Sequence, residues 1–253
     1  MNFLLLCVGY VQKKILFQLL QFLILVVGDL LINFKKMLKK NLLLIFLISI
    51  FQQSLSAEII KVFDFNEIEF ETLNVKKVRG ADNKTKYSLG KNENGNFLRS
   101  EAENSASGLG KKIKINLSKT PFLNITWKVE KDLSGIIENS KKGHDYAARV
   151  FVIKKTGATP LSNRAMNYVY SSNNEISSNQ PSPYTKKSID YVLSTTKENL
   201  NEWVTVKVNV KEHFKKFHDL DVNDIEGVAI MTDTDNSKKT AIAYYQNIYF
   251  SSE

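Results

Sequence analysis

The sequence predicts an all-β chain: a jelly-roll-like antiparallel β-sandwich with one short helix, preceded by an N-terminal leader. Two observations lead there. About ten short runs of β-branched and aromatic residues recur through residues 58–253, each bounded by Gly, Pro, Asn or Ser, the spacing of sandwiches and jelly rolls. A single stretch, residues 211–218, carries apolar residues at helical spacing.

Taken in order, the first expected strand is Ile59–Phe65, followed by Phe97–Ala102, Lys112–Leu117 and Phe122–Val129. In Lys112–Leu117 the apolar residues Ile113, Ile115 and Leu117 alternate with polar ones, the period of a half-buried strand. Asp145–Lys154, Ala165–Tyr170, Ser188–Leu193 and Trp203–Val208 have the same composition, and Val228–Met231 and Ala241–Phe250 close the chain. The first and last of these are expected to pair. Val210, Phe214 and Phe217 fall at i, i+4 and i+7, so a helix over Lys211–His218 should plug one end of the sandwich. Ser171–Pro183 is low-complexity and polar and reads as a mobile surface loop.

The leader has its own logic. Met37, Lys39 and Lys40 make a short basic start, Leu42–Phe51 is an apolar run of ten residues, and Gln52–Ala57 offers small residues for cleavage. That order is a secretory signal peptide over 37–57. The run is too short to cross a bilayer, which takes about 20 apolar residues. Residues 1–36 are then either an over-extended start or an extra membrane segment. Ile15–Phe34 is apolar enough to span, although Gln18, Gln21, Asp29 and Asn33 interrupt it. Residues 58–253 are expected to form a single periplasmic or secreted domain, touching a membrane only through an uncleaved leader.

Composition narrows the function classes. The formal charge is +9, but six Lys and one Asp lie in the leader, leaving 29 basic and 25 acidic residues in 58–253. A net +4 spread along the chain gives no nucleic-acid footprint. The only cysteine is Cys7. Residues 58–253 therefore have no disulfide, no thiol nucleophile and no thiolate metal site, and packing must stabilise them.

The candidate site residues fall into three groups. Asp233, Asp235 and Asn236 follow a buried strand and offer hard oxygen ligands of the kind calcium takes. An EF-hand is excluded, since Lys238 and Tyr244 stand where Gly and Glu would be needed. The alternative is that the acids hold turn amides. Asp145 and Arg149 share one face of a strand, and an arginine among Ala and aromatic neighbours is costly to bury unpaired. It either forms an internal salt bridge, with Asp233 or Asp235 as partner, or lies in a binding face. Tyr168, Tyr170 and Tyr244 could stack on sugar rings, or could be core and cross-strand aromatics. No catalytic residue is assigned: GxSxG, HExxH, phosphate-loop and dinucleotide motifs are missing from the sequence.

Two segments, His144–Val152 (HDYAARVFV) and Gly227–Phe250 (GVAIMTDTDNSKKTAIAYYQNIYF), resemble the exported bacterial family called domain of unknown function 3047. Trp127, Asn167–Tyr170 and Trp203 fit its other landmarks. In that family the first motif carries two adjacent acids before the aromatic residue; here His144 replaces the first. The resemblance implies export and no assigned activity. The expectation is an exported, non-catalytic module that binds a glycan or other cell-envelope component. The alternatives are an envelope-polysaccharide hydrolase or lyase, and a protein-interaction module.

Overall fold

The computed structural model describes residues 23, 25, 28–31, 33–41 and 57–253. The apolar run and cleavage region expected of the signal peptide lie outside them, as does most of Ile15–Phe34. Residues 33–41 are helical, and no helix among the described residues is long and apolar enough to cross a membrane. Ala57–Glu253 is a compact unit of its own.

This unit is a two-layer sandwich. One layer has six strands: β1 (Ile59–Lys61), β3 (Lys86–Asn92), β4 (Gly95–Glu103), β6 (Phe122–Lys131), β11 (Val204–Asn209) and β13 (Thr240–Ser251). Their order is β11-β6-β13-β4-β3, with β1 pairing β13 beside that path. The expected pairing of first and last strands is present, with Ile59 opposite Ser251 and Lys61 opposite Tyr249. The other layer has seven: β2 (Val75–Lys77), β5 (Ala106–Asn116), β7 (Ala148–Lys154), β8 (Arg164–Ser171), β9 (Asn179–Ser182), β10 (Thr185–Thr195) and β12 (Asp224–Asp233). They run in the order β2-β5-β12-β7-β8-β10-β9. All pairs are antiparallel except β8 with β10, which is parallel, with Ser188 opposite Ala165. Short β2, β3 and β9 have too little apolar alternation to stand out in the sequence.

The core lies between the layers. Leu98, Trp127, Val129, Tyr245 and Phe250 face Leu109, Val150, Val152, Tyr168 and Ile230, all buried. Polar tethers cross it, including Ser100 Oγ with Thr232 Oγ1 at 2.7 Å and the Tyr87 hydroxyl donating to the Ser107 carbonyl at 2.6 Å. The Trp127 indole N–H donates to Ser194 Oγ at 3.0 Å, and the Tyr245 hydroxyl donates to the Met231 carbonyl at 2.6 Å and accepts the Arg149 N–H at 3.1 Å. Strand alternation therefore splits neighbouring residues: Tyr245 points inward while Tyr244 points out.

The helix α3 (Val210–His218) forms as its pattern predicts. Asn209 caps it by accepting the Glu212 N–H at 3.1 Å, and Asp219, in the left-handed conformation, ends it. Val210 and Phe214 are buried, and Phe217 packs on Tyr191 at 5.7 Å between ring centroids. A second helix, α1 (Glu67–Thr72), has no counterpart in the sequence pattern. It cuts the expected strand Ile59–Phe65 short at Lys61. Its N-cap Asn66 accepts the Glu69 N–H, while Glu69 reaches back to the N–H groups of Asp64 and Phe65, a capping box extended by one residue. The α2 turn (Thr196–Asn199) follows β10.

Ser171–Pro183 departs most from expectation. Ser171 and Ser172 are buried, and Asn179–Ser182 forms β9 rather than loose loop. For the serines the reason is Glu138, a carboxylate only 1 % exposed. It accepts hydrogen bonds from Ser171 Oγ, Ser172 N, Asn173 Nδ2 and Asn174 Nδ2. Residues 171–174 thus cradle this buried carboxyl group, while Asn179–Ser182 is held by antiparallel pairing with β10.

Candidate functional site

The turn after β12 brings most of the acidic candidates together. Its closure comes from Lys238, whose left-handed φ of 60° returns the chain to β13 and whose N–H donates to the Thr234 carbonyl at 2.9 Å. Asp145, 0 % exposed, staples this turn from the other side. Its Oδ1 accepts Asn236 N at 3.2 Å and Asn236 Nδ2 at 2.9 Å, and its Oδ2 accepts Ser237 N at 2.6 Å. Both oxygens serve turn amides, as Asp and Asn commonly do.

Arg149 lies on the outer face of the seven-stranded sheet, yet it and Asp233 are each only 2 % exposed. Arg149 Nε donates to Asp233 Oδ1 at 2.8 Å, and Nη2 donates to Asp233 Oδ2 and to the His144 carbonyl. Tyr146 lays its ring 4.8 Å from the guanidinium and gives its own N–H to Asp233. Burial pushes the Asp233 carboxyl up to about 7, against the pull of Arg149. Arg149 stays protonated: burial pulls it down, but Asp233 outweighs that and raises it. Of the two readings open for Arg149, the geometry gives the internal salt bridge, with Asp233 as partner. His144, in the place of the resembled family's first acid, pairs through Nε2 with Asp190 Oδ2 at 2.7 Å, while Asn167 Nδ2 donates to Asp190 Oδ1.

Asp235 completes an acidic cluster: Asp145, Asp233 and Asp235 each place one oxygen within 4.8 Å of the others. Asp235 is half-buried, and burial followed by the charge of Asp145 raises its pKa. Calcium takes six to eight oxygens. Here Asp145 and Asp233 already satisfy protein donors, and a cation would share the cluster with the Arg149 guanidinium.

Tyr168 and Tyr170, expected as sugar-stacking residues, are both 0 % exposed and face inward from β8. Tyr170 packs on Trp127 at 5.4 Å and donates its hydroxyl to the Asn199 carbonyl at 2.7 Å; Tyr168 packs on Tyr191 and His213. Neither ring has a face to offer a ligand, which corrects that expectation. Their strand parity puts them in the core, while Asn167 and Val169 take the outer face.

Tyr244 lies elsewhere, on the outer face of the six-stranded sheet. The register places it opposite Lys128 of β6 and Arg99 of β4. Around it gather Phe97 at 5.6 Å and Trp203 at 5.9 Å between ring centroids, and Phe97 and Trp203 are themselves 5.9 Å apart. Three half-buried rings in mutual contact thus form a patch on the solvent side of the sheet. Lys128 Nζ stands 4.4 Å above the Tyr244 ring, Arg99 pairs with Glu101 at 2.8 Å, and the Tyr244 hydroxyl donates to Glu130 Oε2 at 2.5 Å. Burial first, then Glu130, raises the Tyr244 pKa and keeps its hydroxyl protonated. Phe97 carries no sequence signal of a site, and Trp203 reads as a strand landmark. Only the strand pairing shows that they meet Tyr244.

Fold and surface together define a jelly-roll-like β-sandwich with an acidic turn tied to one buried arginine and an aromatic outer face. The chain belongs to the family described as "Protein of unknown function (DUF3047)", whose profile matches residues 71–249. A comparison with curated protein sequences returns no match. Solved structures similar to this one include the family 30 carbohydrate-binding module of a cellulosomal cellulase of Clostridium thermocellum, with 8 % identity over 72 % of this chain and 91 % of that one, at a TM-score of 0.42. The xyloglucanase domain of NopAA, a type three effector from Sinorhizobium fredii, shows 13 % identity over 71 % and 92 % at 0.42. Trichoderma harzianum endoglucanase 3, from family GH12, shows 8 % over 79 % and 99 % at 0.40. The ligands and reactions of those proteins are their own.

Proposed function

We propose that this chain is an exported, non-catalytic glycan-binding module of the cell envelope or exterior, and that the glycan lies on the outer face of the six-stranded sheet. One observation carries the reading: Phe97, Trp203 and Tyr244 meet at 5.6–5.9 Å on the solvent side of the sheet rather than in its core. The electron-rich ring face attracts the polarised C–H bonds on one side of a pyranose. Lys128, Arg99, Glu101 and Glu130 around the rings can meet the hydroxyls at the sugar's edge. The acidic cluster supports binding without bond cleavage, because two of its three carboxylates are buried and hold protein donors. A residue doing acid–base work must reach its substrate.

The test is retardation of Ala57–Glu253, the unit holding the whole sandwich and its core, in gels containing laminarin, xylan, alginate or soluble peptidoglycan fragments. At least one polymer is expected to slow the protein, and Trp203→Ala with Tyr244→Ala should abolish the effect with the fold intact by circular dichroism. Unretarded migration throughout, or a double variant retarded like the parent, overturns the reading.

A further inference from the structure

The aromatic face does not end at Phe97. That ring lies against Gly90 of β3, so closely that a Cβ on Gly90 would come within 2.3 Å of it. Gly90 also lines the first of two adjoining cavities, of about 510 and 470 Å3, that share Phe65, Asn66, Lys91 and Asn96. The second continues to Asn94, Gly95 and Asn247.

One wall residue is held in an unusual backbone conformation: Phe65 has φ 48°, whereas Asn247 at φ 46° and Gly95 at φ 118° are residue types that take positive φ readily. A left-handed phenylalanine is an outlier, and such residues cluster at ligand sites. Its position is locked on two sides. Glu69 accepts the Phe65 N–H at 2.9 Å and pairs with Lys111 at 2.7 Å, and the Phe65 ring stacks on Phe63 at 5.4 Å with an interplanar angle of 6°. Asn247 sits in an irregularity of β13, where its register with β6 shifts between Gln246 and Tyr249. Bulges of this kind re-aim side chains beside sites.

The chemistry of the lining is specific. Four asparagines, Asn66, Asn94, Asn96 and Asn247, line it, with Asn96 Nδ2 3.4 Å from the Asp64 carbonyl and Asn94 Nδ2 3.4 Å from Glu93 Oε1. Asn66 Oδ1 accepts the Glu69 N–H at 2.8 Å as the helix cap, a bond that does not engage its Nδ2. A carboxamide both donates and accepts, which matches a hydroxyl that does the same. The charged residues balance: Lys61 and Lys91 against Asp64 and Glu67, with Lys61 and Asp64 paired at 3.2 Å. Balanced charge among amides selects a polyhydroxylated neutral group over a carboxylate.

We infer that this paired cavity is a subsite for a neutral pyranose residue, terminating the glycan that runs across Trp203, Tyr244 and Phe97. The inference rests on the glycan reading of that face and adds to it where the chain ends and what sugar class sits there.

The experiment is a titration of Ala57–Glu253 with glucose, galactose, mannose and glucuronate, followed by the side-chain NH2 signals of Asn66, Asn94, Asn96 and Asn247 in 1H–15N spectra. One neutral sugar should shift these signals in the parent and equally in Trp203→Ala. Asn247→Gly keeps the left-handed backbone while deleting the amide, and should weaken that response by roughly tenfold. The inference is overturned if no neutral sugar moves these signals, if glucuronate alone does, or if Asn247→Gly responds like the parent. Because monosaccharides report on the cavity and polymer retardation on the rings, failure of the cavity subsite is distinguishable from failure of the glycan reading on which it rests.

Discussion

On the outer face of the seven-stranded sheet, Arg149 and Asp233 are almost fully buried and turn their hydrogen bonds on each other; on the outer face of the six-stranded sheet, Phe97, Trp203 and Tyr244 keep part of each ring in solvent. The first region has the residues that look functional in a sequence: acids, an arginine, a histidine. The second has residues that look like core. Their environments reverse those roles. A buried charge must find protein partners, so Asp145 and Asp233 hold the β12–β13 turn and the start of β7 in place. A half-exposed ring keeps part of its surface in solvent, and the flexible Lys128 over Tyr244 and Trp203 can swing aside for a ligand.

Four measurements can break or sharpen this contrast. The largest effect is expected at the ion pair. Arg149→Met leaves Asp233 buried without its partner and should cost about 3–5 kcal/mol, lowering Tm by roughly 10 °C in a domain of this size. Replacing both, with Met at 149 and Leu at 233, should return most of the loss. Thermal unfolding of the two variants checks this, and a loss below about 1 kcal/mol for the single change would mean the pair is not structural.

Next comes the ring patch. Trp203→Ala should reduce glycan retention by at least about tenfold, equivalent to 1.4 kcal/mol, while removing a partly buried side chain costs roughly 1–2 kcal/mol of stability. If unfolding free energy falls but retention on the same gels does not, the rings are packing alone.

The third effect is a pH dependence at the far end of the sandwich. Burial, then Lys216, lowers His213 from 6.5 to about 4 where it packs on Tyr191 and Tyr168. A lowered folded-state pKa contributes stability that is fully present above pH 6.5 and is lost as pH falls towards about 4. After discounting for solvent screening at this half-buried ring, the loss across that window is about 1–2 kcal/mol. Urea denaturation of the parent and of His213→Phe at both ends of the window should show a larger loss towards low pH in the parent than in the variant, the difference being the share of His213.

The smallest effect is expected from calcium. With Arg149 supplying the positive charge of the acidic cluster, millimolar calcium should move Tm by less than about 1 °C, since only a ligand bound by the folded state shifts it. A rise of several degrees that a chelator reverses would place a cation among Asp145, Asp233 and Asp235.

Local pattern made much of the fold legible. The β-branched and aromatic runs between turn residues locate nine of the ten expected strands in place or nearly so, and the i, i+4, i+7 spacing of Val210, Phe214 and Phe217 places α3. It missed α1, because six residues with a single capping box are too short for a periodic signal, and it missed β9 inside a polar run. The partnership of Arg149 with Asp233 was open as one of two pairings. The aromatic patch was not legible beyond Tyr244, since nothing local joins Phe97 to Trp203 across more than a hundred residues.

By itself, then, the sequence determined what each short segment prefers: strand or helix, which residues alternate, which charges cannot be buried alone. These are local properties, fixed by side-chain chemistry within a few residues. Only the tertiary structure decided which face each alternation presents. Strand register is set by pairing between distant segments, and one residue of shift exchanges core for surface. That register turned Tyr168 and Tyr170 inward, Tyr244 outward, and brought Phe97 and Trp203 beside it.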